Sequence, residues 1–270
     1  MVDGSVAFRG NSEAIQPYRR YFDTHAHYTD RRFDPDRDAL LESLPGRGVA
    51  LALTCGSSLP DSRRALALAE RYPYIYAACG VHPHEATSFR EQDTGALRAL
   101  LKRGRCLALG EIGLDYHYDF SPRETQQDCF RRQLALALEL DMPVIVHDRE
   151  AHEDTLRLLQ EYRPRGVVHC FSGSAEFARE ILGLGFYIGL GGAVTFKNAR
   201  KPLEVAAQIP LERLLLETDA PYMAPEPCRG RRCESWHIGY TAKKIAQARG
   251  MDAQELIDIC NRNGRELFHI

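Results

Sequence analysis

Eight short apolar runs recur along the chain, each rich in β-branched or aliphatic residues and each close to a Gly, Pro or polar break. They are YFDTHAH (21–27), VALALTCG (49–56), IYAACGVHP (75–83), CLALGEIGLD (106–115), PVIVHD (143–148), GVVHCFSG (166–173), FYIGLGGA (186–193) and LLLETDAP (214–221). Their onsets lie 20 to 37 residues apart, the spacing of a strand followed by a crossover helix. Between them, SRRALALAERY (62–72) and TQQDCFRRQLALALEL (125–140) carry apolar residues at three- and four-residue intervals, as amphipathic helices do. SAEFAREILGLG (174–185) opens on a capping serine, Ser174, and stops at Gly185. SPRE (121–124) has the form of a capping box with Pro122 at the first helical position. Two further helices, near 238–249 and 252–268, close the chain.

Near-continuous apolar strands alternating with helices predict a parallel sheet covered by helices. Eight such units predict an α/β fold of the (β/α)8 TIM-like barrel type over residues 21–270, as one domain. Residues 1–20 read as a polar lead-in without the apolar core of a signal peptide. The runner-up is an open doubly wound sheet. Such a sheet often carries a Gly-rich phosphate loop after its first strand; here that strand ends in histidines.

Composition narrows the function classes. With 44% hydrophobic residues the 270-residue chain can bury a sizeable core, and its formal charge of -2 predicts no bulk attraction to nucleic acid or membrane. No apolar run approaches a transmembrane length, so no membrane partner is expected and a cytoplasmic location is the default. The eight cysteines sit mostly in apolar segments and read as buried free thiols of a reducing compartment. The C-x4-C pair of Cys228 and Cys233 lacks the second close pair of a zinc ribbon. A monomer is the default.

The polar residues of the strands gather at one end. His25 and His27 end the first strand, His82 and His84 follow the third, Glu111 and Asp115 lie in the fourth, His147 and His169 end the fifth and sixth, and Asp219 ends the eighth. In a barrel these positions form the carboxyl-end face, where active sites are built. Residues i and i+2 share a side of a strand, so His25 and His27 can face one ion; Glu111, Gly113 and Asp115 share a side by the same rule. Buried imidazoles and carboxylates among apolar neighbours need pairing or ligation. Four histidines (His25, His27, His147, His169) and two carboxylates (Glu111, Asp219) exceed what one open catalytic ion takes. Two divalent ions are expected; these donors suit Zn, Mn, Fe or Ni, with Mg also compatible. Two such ions can activate water against phosphorus, and equally against a carbonyl carbon.

In order and spacing, DTHAH (23–27), GVHPH (80–84), GEIGLD (110–115), VIVHDRE (144–150), HCFSG (169–173), ETDAP (217–221) and NGRELF (263–268) resemble the TatD-like metal-dependent deoxyribonucleases of the amidohydrolase superfamily. The resemblance runs from Tyr21 to the end. It implies a distorted (β/α)8 barrel with one or two ions. His25, His27 and Asp219 would hold the first, His147 and His169 the second, and Glu111 would bridge them. Many amidohydrolases place a carboxylated lysine where this chain has Glu111. The resemblance further implies hydrolysis of DNA phosphodiester bonds, 3'→5' on single strands, with DNA as the partner. Asp219 and Glu111 would be catalytic, Asp219 accepting the proton of the attacking water. His82, and with it His84, would contact the scissile phosphate, and Asp115 would orient a ligand or the water. An amide, ester or lactone hydrolase of the same superfamily is the alternative function.

One stretch departs from the family pattern. After strand eight this chain reads RGRRCESWH (229–237), with Cys233 and Ser235 where family members often carry Asn and Pro. Arg229, Arg231 and Arg232 keep positive charge that could serve a DNA backbone, and Trp236 is either a packing residue or a stacking surface for a base.

Overall fold

The computed structural model describes residues 18–270, so the lead-in lies outside the described residues except for its last three. Eight strands appear where the apolar runs predict them: β1 Tyr21–Ala26, β2 Val49–Cys55, β3 Ile75–Cys79, β4 Cys106–Asp115, β5 Val144–Arg149, β6 Gly166–Val168, β7 Tyr187–Leu190 and β8 Leu214–Leu216. All neighbours pair in parallel, in sequential order from β1 to β8. The helices are α1 Arg37–Ser43, α2 Leu59–Arg71, α3 Thr94–Leu101, α4 Arg123–Glu139, α5 His152–Tyr162, α6 Ala175–Gly183, α7 Arg200–Gln208, α8 Ile238–Arg249 and α9 Ala253–Phe268.

The ends of the sheet meet. Ala26 bridges Ala220, the His27 amide donates to the Ala220 carbonyl at 2.6 Å, and the Asp219 amide donates to the His25 carbonyl at 2.9 Å. Closure in sequential order is the (β/α)8 barrel and rules out the doubly wound sheet.

Helix starts follow local chemistry with one correction. Ser58, Ser174 and Asp252 each accept backbone amides of the first turn of α2, α6 and α9. Ser121 does not complete a capping box. Pro122 is itself the residue before α4, and the Ser121 hydroxyl instead donates to the His84 carbonyl at 3.0 Å. Strands β6, β7 and β8 are also shorter than their apolar runs. After β6 and β8 the backbone turns into the left-handed region, at Cys170 (φ 45°) and Asp219 (φ 58°), which ends the ladder.

Two apolar layers result. The inner one includes Phe22, Leu53, Ala108, Ile145, Val167 and Leu215, and is sealed at the amino end of the strands by Leu267 and Phe268 of α9. The Phe22 and Phe268 ring centroids are 6.0 Å apart. The outer layer packs helices onto the sheet. Period two carries the inward side from Ile145 to His147, from Val167 to His169 and from Leu215 to Glu217. In β1 and β4 the parity changes. Phe22 and Ala108 belong to the inner layer, yet Ala26 and Ile112 belong to the outer one. The register shifts between Asp23 and Ala26, and between Leu109 and Ile112. Each shift exchanges the faces of its strand. It thereby brings in His25 and Glu111, each three residues beyond an inward apolar residue.

Phe268 fills the closed end of the barrel and is remote from the carboxyl ends of the strands. Phe268→Ala is expected to cost about 3–5 kcal/mol of stability, read as a lower urea midpoint for unfolding.

Candidate metal centre and cleft

The carboxyl ends of the strands surround a cleft of about 930 Å³ whose floor includes His27, His82, Glu111, His147, His169 and Asp219. Glu111 lies at the centre, 2% exposed. Its two oxygens face different partners. Oε2 is 3.4 Å from His25 Nε2 and 3.3 Å from His27 Nε2. Oε1 is 2.7 Å from His169 Nε2 and 2.9 Å from His147 Nδ1. Asp219 completes the first half, its Oδ1 3.4 Å from His27 Nε2 and 3.8 Å from His25 Nε2. The two halves meet where His25 and His169 stack, with ring centroids 3.8 Å apart.

Burial opposes charge here, and the partners outweigh it. Burial alone would raise the Glu111 carboxyl, but the surrounding imidazoles, His169 and His82 foremost, hold it well below its usual range. Asp219 is lowered in the same way, with His27 as the main opponent of burial. Burial pulls His27 and His169 down, but the carboxylates reverse this: Asp219 and Glu111 raise His27 well up, and Glu111 and Glu217 raise His169 to about 10. His25, fully buried and stacked on His169, is lowered.

The side chains fit a divalent cation, because the outer nitrogen of each inward histidine faces an acceptor. His27 Nδ1 is 3.0 Å from the Cys55 carbonyl, and His25 Nδ1 is 3.5 Å from Cys55 Sγ. His147 Nε2 is 3.1 Å from Asp115 Oδ2. His169 Nδ1 has no hydrogen-bond partner but points toward Glu217 Oε1 at 3.7 Å. An outer nitrogen that carries the proton leaves a lone pair on the inner one, as ligation requires. Groups of three donor atoms within 4.8 Å of one another form at His25, His27 and Glu111, and at His25, His169 and Asp219. A third such group contains His82, Glu111 and His147.

His82 differs from the others in its tautomer. Its Nδ1 accepts the His84 backbone amide at 3.1 Å, so in the neutral ring the proton sits on Nε2. Burial pushes His82 down to about 4, so the ring is neutral near pH 7. Nε2, 3.4 Å from Glu111 Oε1, is therefore a hydrogen-bond donor rather than a lone pair. His84 Nε2 lies 2.9 Å from Asp115 Oδ2, the oxygen that also faces His147. Asp115 is 1% exposed, and its other oxygen accepts the His117 and Tyr118 amides. It borders the cleft, with its Oδ2 held between the His84 and His147 imidazoles. Gly113 (φ 142°) lies between Glu111 and Asp115, and a Cβ there would fall 2.0 Å from the His147 carbonyl oxygen.

Asp23 sits beneath the first half, fully buried. It accepts the His25 amide at 3.3 Å, the Thr218 amide at 3.0 Å, the Thr218 hydroxyl at 2.6 Å and the Ser235 hydroxyl at 2.5 Å. Burial raises its carboxyl to about 7, against the pull of those hydrogen bonds. Ser235 gives the atypical loop a structural part: it joins the loop to β1. Arg232 pairs with Asp36 and Glu234, and the Arg229 guanidinium lies over the Phe196 ring. Cys233 is buried, and no residue of 228–237 lines the main cleft. Trp236 is 5% exposed and donates to Glu234 at 2.7 Å, so it packs and is not available to a base. Cys55, which backs two histidines, carried no signal in the sequence beyond ending its strand.

Comparison with known proteins agrees with this geometry. The family model described as TatD related DNase matches residues 22–269. The chain belongs to the TatD-related DNase family. Its relatives include the "Uncharacterized metal-dependent hydrolase YabD" of Bacillus subtilis, 42% identical over 92% of this chain and 99% of that one. The "3'-5' ssDNA/RNA exonuclease TatD" of Cronobacter sakazakii is 39% identical, over 92% and 97%. Among solved structures, the TatD homologue YjjV of Escherichia coli superposes with a TM-score of 0.87 at 34% identity, covering 93% of this chain and 98% of that chain. In this TatD-family chain, no helix of the described residues is long and apolar enough to cross a membrane.

Asp23→Ala would strip four donors of their shared buried acceptor. A loss of roughly 3 kcal/mol or more is expected, measured by urea unfolding, with Ser235→Ala losing less than half as much.

Proposed function

We propose that the chain is a metal-dependent phosphodiesterase that degrades single-stranded DNA in the 3'→5' direction. The observation that carries this reading is the division of Glu111, one oxygen toward His25 and His27 and the other toward His147 and His169. A carboxylate shared in this way suits a pair of ions. His25, His27 and Asp219 would hold the first and His147 and His169 the second, with Glu111 between them. When bound, such ions draw charge from a phosphate oxygen and bring the acidity of water near neutrality. Zn, Mn, Fe, Ni and Mg all remain compatible with these donors.

The chain's own residues supply the rest. Asp219, held ionised, receives the proton of the attacking water. His82 offers its Nε2 proton to a phosphate oxygen without adding a charge. Asp115 fixes the rings of His147 and His84 from behind, so its part in substrate binding is indirect. The exonuclease names of curated relatives support phosphodiesters over amides, esters or lactones. Eight free thiols, seven of them buried, support a reducing, cytoplasmic setting.

With Mg or Mn, the purified chain is expected to shorten 3'-labelled single-stranded DNA, and EDTA to stop it. Asp219→Asn should lower kcat by about 10²–10⁴-fold. Cleavage no greater than that of a His25→Ala, Asp219→Asn double variant would sink the proposal.

A further inference from the structure

The cleft is edged by aromatic rings that the metal centre does not use. Among the described residues four large hydrophobic side chains are exposed: Tyr118, Phe120, Leu138 and Tyr222. Three of them stand at the mouth of the cleft. Tyr118 and Tyr222 line it, and Phe120, 67% exposed, stacks on Tyr118 with ring centroids 5.3 Å apart. Tyr118 and Phe120 follow β4, and Tyr222 follows β8. In a barrel of eight sequential strands these two positions face each other across the axis, with Glu111 and its histidines between them.

Each platform abuts a different half of the centre. The Tyr222 ring is 6.1 Å from His27. Phe120 and Tyr118 lie 4.8 Å and 5.5 Å from His84, which reaches His147 through Asp115. The rings are also held. The Arg32 guanidinium lies 3.9 Å over Tyr222 and is fixed by Asp30, which accepts the Tyr222 hydroxyl as well. The Arg149 guanidinium lies 4.8 Å over Tyr118. Exposed aromatic side chains otherwise carry a cost in water, and here they are pinned at the one place where a nucleic acid would pass.

Charge points the same way. Three arginines line the cleft, Arg31, Arg64 and Arg149; Arg64 is paired with Asp61 and Arg149 lies over Tyr118, and against them stand Asp30, Asp34, Asp61, Glu85 and Asp148 besides the carboxylates of the centre. Backbone attraction by cations is therefore limited, and base stacking is the remaining sequence-tolerant source of affinity. We propose that Tyr222 and the Tyr118–Phe120 pair are base-stacking platforms on opposite sides of the centre, which grip the two nucleotides flanking the scissile phosphate of a single strand. A base cannot lie on either platform while paired and stacked within a duplex, so the rings select unpaired ends.

This inference rests on the nuclease reading, and kinetics separate the two. The substrates are a 3'-labelled single-stranded oligonucleotide and its counterpart with two abasic nucleotides at the 3' end. Phe120→Ala and Tyr222→Leu should each raise KM on the normal strand about 5- to 100-fold, with kcat within about twofold. Phe120→Trp and Tyr222→Phe, which keep a ring, should retain the original KM. On the abasic strand the native chain should itself show the raised KM, and the variants should be no worse. Unchanged KM in both ring-deleted variants, or an equal further loss on the abasic strand, would overturn the platforms while leaving the nuclease intact. A native chain that cuts neither strand overturns both readings.

Discussion

Everything at the carboxyl end of this barrel is arranged around one buried carboxylate. Glu111 sits at the centre of five imidazoles, and burying it without them would be prohibitive. It pulls the rings inward, and they hold it ionised. Its two oxygens also impose an order: Oε2 serves His25 and His27, and Oε1 serves His147, His169 and His82, so the cluster is divided within the folded chain itself. Outer acceptors then fix which nitrogen of His25, His27 and His147 faces inward. The candidate donor groups are thereby ordered within the folded chain.

Two local irregularities make that arrangement possible. A regular strand would keep His25 and Glu111 on the face opposite Phe22 and Ala108. The register shifts in β1 and β4 place them inside while the apolar residues below still fill the barrel. The barrel can thus have a dry, sealed amino end and a polar carboxyl end within strands of ten residues or fewer. In β5 and β6 the same outcome needs no irregularity, because His147 and His169 follow Ile145 and Val167 by two.

The eight strands, their order and the gathering of His25, His27, Glu111, His147, His169 and Asp219 were legible in the sequence. Apolar runs and strand-end polarity are local signals with a direct physical cause. Boundaries were less so, since nothing in HCFSG or ETDAP announces the left-handed turns at Cys170 and Asp219 that end β6 and β8 early. The tautomer of His82 depends on a backbone amide two residues away and was invisible. Trp236 stood between packing and stacking on a base in the sequence, and it packs. Among the described residues the exposed aromatic hydrophobic side chains are Tyr118, Phe120 and Tyr222, whose sequence surroundings carry no signal. Exposure is a property of the whole fold, and no short stretch encodes it.

The Asp23 contacts bear on how the protein comes to be made. They fasten the first strand to residues that follow the last, some 195 positions along the chain. Closing the barrel and finishing the centre are consequently one event. A chain that has emerged only through β7 lacks both the closing seam and Asp219. The centre is therefore complete only when residues on both sides of the closing seam are in place.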